Sequence, residues 1–305
     1  MIAFCYPGQG SQEVGMGQEL AASSSAARAV FAAADDALGF GLTAICADGP
    51  IERLTETEIT QPALVTTSLA GVAALREAGI VADVHVGHSV GEYAALAAAG
   101  LASDVDAIRL VRARGEATAA AAARRPGAMA AILGLDDAVV ETLCAGIEGV
   151  WPANYNSPGQ IVVSGTVEGV EQLIAAAESS GARRAILLKV AGGFHSPLSA
   201  SAGDDLRPVL STIAFAPPDS RFFSTTTVGF EDEQTIGQLL LDQLGAPVRF
   251  TQSVQVLRDE GVSTFVEVGS GSVLSGLIRR IDRSITAISV QTPADIARLS
   301  EVLDA

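Results

Sequence analysis

The segment ADVHVGHSVGEYAALAAAG, residues 82–100, contains the pattern that decides the fold. Its first part, ADVHVGH, is a short apolar run with alternating valines and predicts a strand. Its last part, EYAALAAAG, predicts a helix, so the chain passes from strand to helix at Ser89. The beginning of the sequence repeats this order, since IAFCY at 2–6 predicts a strand that stops at Pro7, and a helical pattern follows from about Gln18. Strands that alternate with helices predict a parallel sheet covered on both faces.

Two further segments of the same kind lie elsewhere in the chain. Apolar residues recur at helical spacing from Thr60 to Ala78 and predict a long helix. Pro62 is expected in the first turn of that helix, where its missing N–H costs nothing. The segment TFVEVGSGSVLSGLIRRI at 264–281 predicts another strand, a Gly-rich turn and a helix.

Between residues 127 and 190 the pattern changes to short units in the order strand, helix, strand, strand, helix, strand. This β-α-β-β-α-β order is typical of the ferredoxin-like arrangement. We therefore predict an α/β protein in two parts. A large α/β-hydrolase-like domain with a parallel sheet comprises residues 1–126 and 191–305, and a small ferredoxin-like α+β subdomain comprises residues 127–190.

The composition excludes several classes of protein. With 305 residues, 49% of them hydrophobic and 18% charged, the chain is long and apolar enough for a compact core and unlike a disordered protein. The net charge of −16 opposes binding to nucleic acid or to anionic lipid. No apolar run reaches the ~20 residues of a membrane span, and the first residues lack the basic region of a signal peptide, so we expect a cytoplasmic protein. The three cysteines are scattered and suggest neither disulfides nor a zinc site.

Residues 87–91, GHSVG, have the G-x-S-x-G spacing between a predicted strand and a predicted helix. In such a turn the glycines avoid clashes, and the serine hydroxyl is lifted to the helix N-terminus, where backbone N–H groups can hold an oxyanion. Ser89 is therefore a candidate nucleophile, and the alternative is a tight turn whose serine only caps the helix. A second Gly-rich loop, PGQGSQ at 7–12, follows the first strand, and its backbone could face Ser89.

A serine nucleophile needs a base, most often a histidine, and the chain has three. His85 lies inside a predicted strand and is expected to be a packed residue. His88 adjoins Ser89 in the chain, and a chain neighbour rarely has the right direction to deprotonate it. His195, in the loop GGFHSP at 192–197, is the best candidate by elimination; the alternative is a histidine in a surface loop.

Arg114 is the charged residue that the pattern singles out. The residues three, four and seven positions before it on the predicted helix are Val111, Leu110 and Ala107, which are all apolar, so Arg114 should point inward. A buried guanidinium is costly without a partner. We therefore expect a carboxylate at Arg114, supplied by the protein as an internal ion pair or by the substrate.

The chain resembles the malonyl-CoA:acyl carrier protein transacylases of type II fatty acid synthesis, which are related to the acyltransferase domains of polyketide synthases. Eight motifs in order carry the resemblance over nearly the whole length. They are PGQGSQ at 7–12, TQPAL at 60–64, GHSVGEY at 87–93, the helix through Arg114-Gly115, GAMAAILGL at 127–135, NSPGQIVVSG at 156–165, GGFHSP at 192–197 and FVEVGSGSVLSGLIRR at 265–280.

The resemblance implies a ping-pong acyl transfer. Ser89, activated by His195 as a dyad, would attack the thioester of malonyl-CoA, while the backbone N–H groups of Gln9 and Val90 hold the oxyanion. Coenzyme A would leave, and the phosphopantetheine thiol of an acyl carrier protein would take the malonyl group from the serine. Coenzyme A thioester is a substrate here, and no bound cofactor or metal is implied.

The resemblance also implies roles in binding. Arg114 would pair with the malonyl carboxylate as a two-point fork. Phe194 resembles the residue that narrows malonyl-selective sites against methylmalonyl. Arg249 stands where many members have Gln after Pro-Val, and its main-chain carbonyl is expected to support His195.

The sequence departs from the family pattern at GSGS, residues 269–272, where the usual GPGK has lost its proline and lysine. That lysine is thought to help receive the acidic carrier protein. Because this chain is itself acidic, a local basic patch would have to offset the repulsion. Two groups of arginines are candidates for this patch: Arg279, Arg280 and Arg283, or Arg183 and Arg184.

Other functional hypotheses are consistent with the same residues. A free-standing polyketide-synthase-type acyltransferase and the transacylase subunit of a malonate decarboxylase fit the motifs equally well. A serine acyl hydrolase or thioesterase would keep Ser89 and His195 but release the acyl group to water. A non-catalytic adaptor that binds a carrier protein would need both residues to be relics.

Overall fold

The computed structural model describes residues 1–304 and contains two β-sheets. In spatial order, the strands of the larger sheet are β10 (Thr286–Val290), β9 (Thr264–Val268), β1 (Ile2–Tyr6), β2 (Val84–Gly87), β7 (Arg221–Ser224) and β8 (Gly229–Glu231). All neighbours run parallel except β8, which is antiparallel to β7 at the edge. The predicted parallel sheet is confirmed, with one antiparallel edge strand in addition.

Helices cover both faces of the larger sheet. They are α1 (Gln18–Ser23), α2 (Ser25–Leu38), α3 (Leu42–Asp48), α4 (Ile51–Thr55), α5 (Thr57–Glu77), α6 (Gly91–Ala98), α7 (Asp104–Arg124), α10 (Ala202–Leu210), α11 (Ile236–Asp242), α12 (Phe250–Asp259), α13 (Val273–Ile281) and α14 (Pro293–Leu303). Strand residues alternate between two apolar clusters: Phe4 and Tyr6 pack with α5 and α6, whereas Ala3 and Cys5 pack with α12 and α13. No helix within residues 1–304 is long and apolar enough to cross a membrane.

The smaller sheet has the predicted ferredoxin-like order. Its elements along the chain are β3 (Ala128–Leu133), α8 (Asp137–Gly146), β4 (Val150–Ser157), β5 (Gln160–Gly165), α9 (Val167–Ser179) and β6 (Arg184–Leu187). The strands pair antiparallel in the order β4-β5-β3-β6, and both helices pack on one face, where Val140 and Leu173 join the strand residues Ile132 and Ile161.

The long helix α5 begins earlier than predicted. It starts at Thr57, so Pro62 is its sixth residue and the prediction of a first-turn position is wrong. Proline cannot donate the hydrogen bond that the carbonyl oxygen of Glu58 would accept in a regular helix. Arg112 of α7 donates from Nη1 to that oxygen at 2.6 Å. A contact between two helices therefore compensates for the proline, and the local pattern around Pro62 does not contain that information.

The two sheets meet through main-chain hydrogen bonds. The N–H of Tyr155 in β4 donates to the carbonyl of Val248 at 2.8 Å, and the N–H of Val248 donates to the carbonyl of Ala153 at 2.8 Å. These bonds join the edge of the small sheet to the segment before α12. The carboxyl ends of β1 and β2 then face the small sheet across a cleft, which is where open α/β sheets bind ligands.

Candidate active site

The turn at Ser89 has the geometry that the G-x-S-x-G spacing predicts. Ser89 has a φ of 53°, in the left-handed region that few side chains adopt, between β2 and α6. A Cβ at Gly91 would overlap the carbonyl oxygen of Tyr6, and a Cβ at Gly87 would overlap the backbone of Gly91 and Glu92. Both glycines are therefore required by close backbone approach, and the serine hydroxyl lies at the helix N-terminus as predicted.

Ser89 and His195 form a hydrogen-bonded pair. Ser89 Oγ lies 2.6 Å from His195 Nε2, although 106 residues separate them in the chain. His195 Nδ1 lies 3.1 Å from the carbonyl oxygen of Gln243 and 3.0 Å from that of Ala246. Carbonyl oxygens only accept, so Nδ1 carries the proton and Nε2 is left free to accept from the serine hydroxyl.

The expectation that the Arg249 carbonyl supports His195 is wrong. Gln243 and Ala246 supply both carbonyls that contact the imidazole. The Arg249 carbonyl instead accepts from the N–H and the hydroxyl of Ser253, because Arg249 is the N-terminal cap of α12. Its oxygen is therefore used in the first turn of that helix.

The surroundings of His195 favour the neutral imidazole. Burial lowers the pKa of His195 to about 3, and the charge on Arg114 acts in the same direction, while the hydrogen bonds from Nδ1 to the two carbonyls oppose both. Near neutral pH the ring is therefore uncharged and can take a proton at Nε2.

Arg114 points inward, as its position on α7 predicts. The residue is 4% exposed. Its Nη1 donates to Gln61 Oε1 at 2.9 Å, and its Nη2 donates to Gln243 Oε1 at 3.1 Å and to Ser89 Oγ at 3.2 Å. All three acceptors are neutral oxygens, and the buried Nε has no hydrogen-bond partner within residues 1–304. The guanidinium thus lies beside the serine hydroxyl and forms no ion pair with a protein carboxylate in the described part of the chain. Of the two predicted partners, this favours the substrate carboxylate.

Two backbone N–H groups beside Ser89 are unused. Gln9 and Val90 both line the cleft. Across the described part of the chain, residues 1–304, neither N–H donates to a protein acceptor. Val90 is the N-terminal cap of α6, where the helix dipole also favours a negative charge. An oxyanion hole needs N–H groups that are free to donate, and these two groups meet that condition, so their role stays a prediction.

The cleft between the two sheets has a volume of about 380 Å³. It is lined by six of the residues that the sequence singled out, namely Gln9, Ser89, Val90, Arg114, Phe194 and His195. The smaller sheet lines the cleft with Met129 and Val162 and also with two asparagines of β4, and Phe194 is half-buried against Met129, Ala153 and Val162. The structure therefore brings together every predicted site residue except Arg249.

Sequence reasoning missed three buried polar residues of the site: Gln61, Glu92 and Gln243. Gln61 and Gln243 bind Arg114, and Glu92 accepts a hydrogen bond from Gln243. For Gln61 the available signal was a polar residue within the apolar stretch of α5, whereas Gln243 follows Asp242 at the end of α11 and gave no such signal. The other two histidines are occupied elsewhere: His85 contacts Tyr6 Oη at 2.6 Å and His88 contacts Asn156 Oδ1 at 2.8 Å.

Arg280 and Arg184, one from each group of arginines proposed as a basic patch, lie at the same end of the small sheet. Arg280 donates to Gln160 Oε1 at 2.8 Å. Leu133 pairs with Gln160 on one side and with Arg184 on the other. Lys189, the single lysine, is exposed at the cleft. Within residues 1–304, no group of three or more His, Cys, Asp or Glu side chains is placed to hold a metal ion.

Comparison with known proteins was made on the sequence and on the fold. The acyl transferase domain family matches residues 3–296. The malonyl CoA-acyl carrier protein transacylase of Bacillus subtilis (strain 168) is 44% identical over 97% of this chain and 95% of its own length. The protein of the same name from Escherichia coli (strain K12) is 42% identical over 99% of each chain.

Solved structures give the same result. An acyl-carrier-protein-S-malonyltransferase from Bartonella henselae superposes with a TM-score of 0.96 at 39% identity, over 100% of this chain and 99% of that chain. A malonyl-transacylase solved in complex with a type II polyketide synthase acyl carrier protein superposes with a TM-score of 0.94 at 38% identity, over 99% of each chain. The chain described here therefore belongs to the acyl transferase domain family.

Proposed function

We propose that this acyltransferase moves a malonyl group from malonyl-CoA to the phosphopantetheine thiol of an acyl carrier protein, through an acyl-enzyme on Ser89. The observation that carries the proposal is the convergence on one hydroxyl: Ser89 Oγ lies 2.6 Å from the base His195 and 3.2 Å from the cation Arg114. Relatives named for malonyl transfer, at 38–44% identity over nearly their whole length, support the choice of acyl group.

In the first half-reaction, Ser89 Oγ attacks the thioester carbonyl while its proton passes to His195 Nε2. The negative charge on the carbonyl oxygen is held by the N–H groups of Gln9 and Val90. Collapse of the tetrahedral intermediate breaks the C–S bond, and the imidazolium returns its proton to the departing thiolate. Coenzyme A leaves as the thiol, and the malonyl ester remains on Ser89.

The second half-reaction runs the same steps with a new nucleophile. His195 takes the proton of the carrier's phosphopantetheine thiol, and the thiolate attacks the serine ester. The ester C–O bond breaks, and Ser89 Oγ recovers the proton from His195. Each group that the two half-reactions need comes from the chain, from the malonyl-CoA thioester or from the carrier thiol, so the proposal includes no bound cofactor or metal.

Arg114 selects the acyl group. Its guanidinium is buried beside Ser89 with neutral hydrogen-bond partners, so a malonyl carboxylate would supply the missing anion as a fork-like pair. An acetyl group would leave the charge as it is in the free enzyme. For a buried ion pair this difference is about 2–5 kcal/mol, or roughly 30-fold to several-thousand-fold in rate.

Incubation with malonyl-CoA, with and without a phosphopantetheinylated carrier protein, tests the proposal. We expect release of coenzyme A to continue only when the carrier is present, with malonyl appearing on the carrier. Free malonate formed equally fast without the carrier would indicate a hydrolase instead. No acyl adduct on Ser89 would indicate a non-catalytic adaptor.

The pathway follows from the carrier that is loaded. We propose the carrier of type II fatty acid synthesis, because the eight sequence motifs resemble the transacylases of that pathway and the relatives are named for transfer involving an acyl carrier protein. Measuring transfer to carriers of fatty acid synthesis, polyketide synthesis and malonate decarboxylation, side by side, separates the three alternatives. Preferred transfer to the polyketide or the malonate decarboxylase carrier would assign the enzyme to that pathway, and the proposed chemistry at Ser89 would stay the same.

A further inference from the structure

The side chain of Gln243 joins the charged groups of the site. Gln243 is fully buried. Its Nε2 donates to Glu92 Oε2 at 2.5 Å and to the Ser89 carbonyl at 3.2 Å, while its Oε1 accepts from Arg114 Nη2 at 3.1 Å. Its own carbonyl accepts from His195. One residue therefore contacts the nucleophile, the base, the cation and a buried carboxylate.

Glu92 is the buried carboxyl group that this network holds. It is 0% exposed and lies on α6, directly after the Ser89 turn. Besides Gln243, three groups contact it: the N–H of Thr225 at 2.6 Å, the hydroxyl of Thr225 at 2.7 Å and that of Ser224 at 3.1 Å. Burial raises the pKa of Glu92, and the hydrogen bonds from Thr225, Ser224 and Gln243 oppose that rise because they stabilise the ionised carboxylate.

The amide of Gln243 lies between opposite charges and has one favourable orientation. Its oxygen faces the guanidinium of Arg114, and its NH₂ group faces the carboxylate of Glu92. A flipped amide would place NH₂ against the N–H groups of Arg114 and oxygen against the Glu92 carboxylate, which makes two repulsive contacts in place of two attractive ones. Glu92 therefore fixes the group that holds Arg114 in place.

We propose that Glu92 is a positioning residue for the selection of a carboxylated acyl group: through the Gln243 amide it holds and electrically balances Arg114 beside Ser89. This inference rests on the proposed malonyl transfer. Glu92 touches no reacting atom. Its effect is on Arg114, and therefore on the preference for malonyl over acetyl rather than on acyl transfer in general.

The first test compares kcat/KM for malonyl-CoA and acetyl-CoA in Glu92→Gln. We expect the malonyl-to-acetyl ratio to fall about tenfold, mainly through malonyl-CoA. Glu267→Gln is the matched control, because Glu267 is also fully buried and accepts hydrogen bonds from the backbone of Leu274 and Ser275. The control should lower Tm and keep the ratio within about twofold of wild type. A wild-type ratio in folded Glu92→Gln overturns the inference.

A second variant tests the route through Gln243. Gln243→Met keeps the main-chain carbonyl that His195 uses and removes the amide, so it should lower the ratio about tenfold by itself. In that background, adding Glu92→Gln should change the ratio less than about twofold. If the two substitutions change the ratio independently, or if Gln243→Met keeps the wild-type ratio, Glu92 does not act through Gln243. Gln243→Met alone tests the inference if Glu92→Gln does not fold.

A third measurement needs no activity. Urea unfolding of Glu92→Gln, Arg114→Met and the double variant reports whether the two buried charges compensate each other. We expect the unfolding equilibrium constant of the double variant to be about tenfold smaller than the single effects predict together. Independent effects overturn the inference even if wild type transfers malonyl. Absence of malonyl transfer in wild type would instead refute the proposed function. The unfolding measurements would then still decide whether Glu92 and Arg114 compensate each other.

Discussion

The two walls of the cleft differ in what they contribute. The wall from the larger sheet carries Ser89, His195 and Arg114, whose side chains hydrogen-bond to one another or to the surrounding protein. The wall from the smaller sheet carries none of these three residues and is lined by Met129 and Val162 together with two asparagines of β4. We infer that the first wall performs the chemistry and that the second sets the room available to the acyl chain and the pantetheine arm. Substitutions in the first wall should therefore have the larger effects.

The largest effect is expected for Ser89→Ala, which removes the proposed nucleophile. No covalent malonyl adduct should form, and transfer should fall by roughly 10³-fold or more. Intact-protein mass spectrometry after incubation with malonyl-CoA measures the adduct. Ser23→Ala, at an exposed serine of α1, is the control and should acylate like wild type. An adduct that persists in Ser89→Ala would place the nucleophile elsewhere.

Arg114→Ala should have the next largest effect, because it removes the partner proposed for the malonyl carboxylate. We expect kcat/KM for malonyl-CoA to fall roughly 30-fold to several-thousand-fold, and acetyl transfer to come closer to parity with it. Arg109→Ala is the matched control, since Arg109 is exposed on the same helix. An unchanged malonyl preference in Arg114→Ala would remove this residue from the site.

Phe194→Ala tests whether the side of the cleft formed by the smaller sheet limits the size of the acyl group. The smaller side chain should open space beside the base and raise kcat/KM for methylmalonyl-CoA relative to malonyl-CoA by about tenfold, the order expected for one methyl group in an apolar pocket. Competition between the two thioesters measures the ratio in one vessel. If the ratio stays at the wild-type value, Phe194 is a packing residue.

The smallest effect is expected from pH. The base is neutral above its pKa of about 3, so lowering the pH from 7 to 5 should leave kcat/KM for malonyl-CoA within about twofold. Activity should be lost only as the pH falls toward that pKa, because protonated His195 cannot accept the serine proton. An enzyme whose base has the usual histidine pKa would lose most of its kcat/KM between pH 7 and pH 5. A kcat/KM that falls to half near pH 6.5 would therefore contradict the buried, neutral base.

Features carried by local sequence were predictable. The turn at Ser89 follows from two glycines within five residues, and the inward position of Arg114 follows from the apolar residues preceding it on one helix face. The wrong predictions depend on distant contacts. Pro62 is tolerated inside α5 because Arg112 replaces its hydrogen bond, and the segment that ends at Arg249 is set by the pairing of Val248 with β4.

The role of Gln243 was out of reach for the same reason. Its amide meets the Ser89 carbonyl across 154 residues of chain, and the interaction exists only after the larger sheet and α11 have packed. A glutamine at the end of a helix can have many structural roles. Only its position relative to Arg114 shows which role Gln243 has.

The central claim is that Ser89 carries the acyl group between two thiols, and single-turnover transfer tests it most directly. Enzyme acylated with labelled malonyl-CoA and freed of excess substrate is mixed with buffer or with phosphopantetheinylated carrier, and the label on Ser89 is followed by peptide mass spectrometry. We predict that the label persists in buffer and moves to the carrier thiol when the carrier is added. Loss of the label to water at the same rate in both samples, or a label on a residue other than Ser89, would contradict the account.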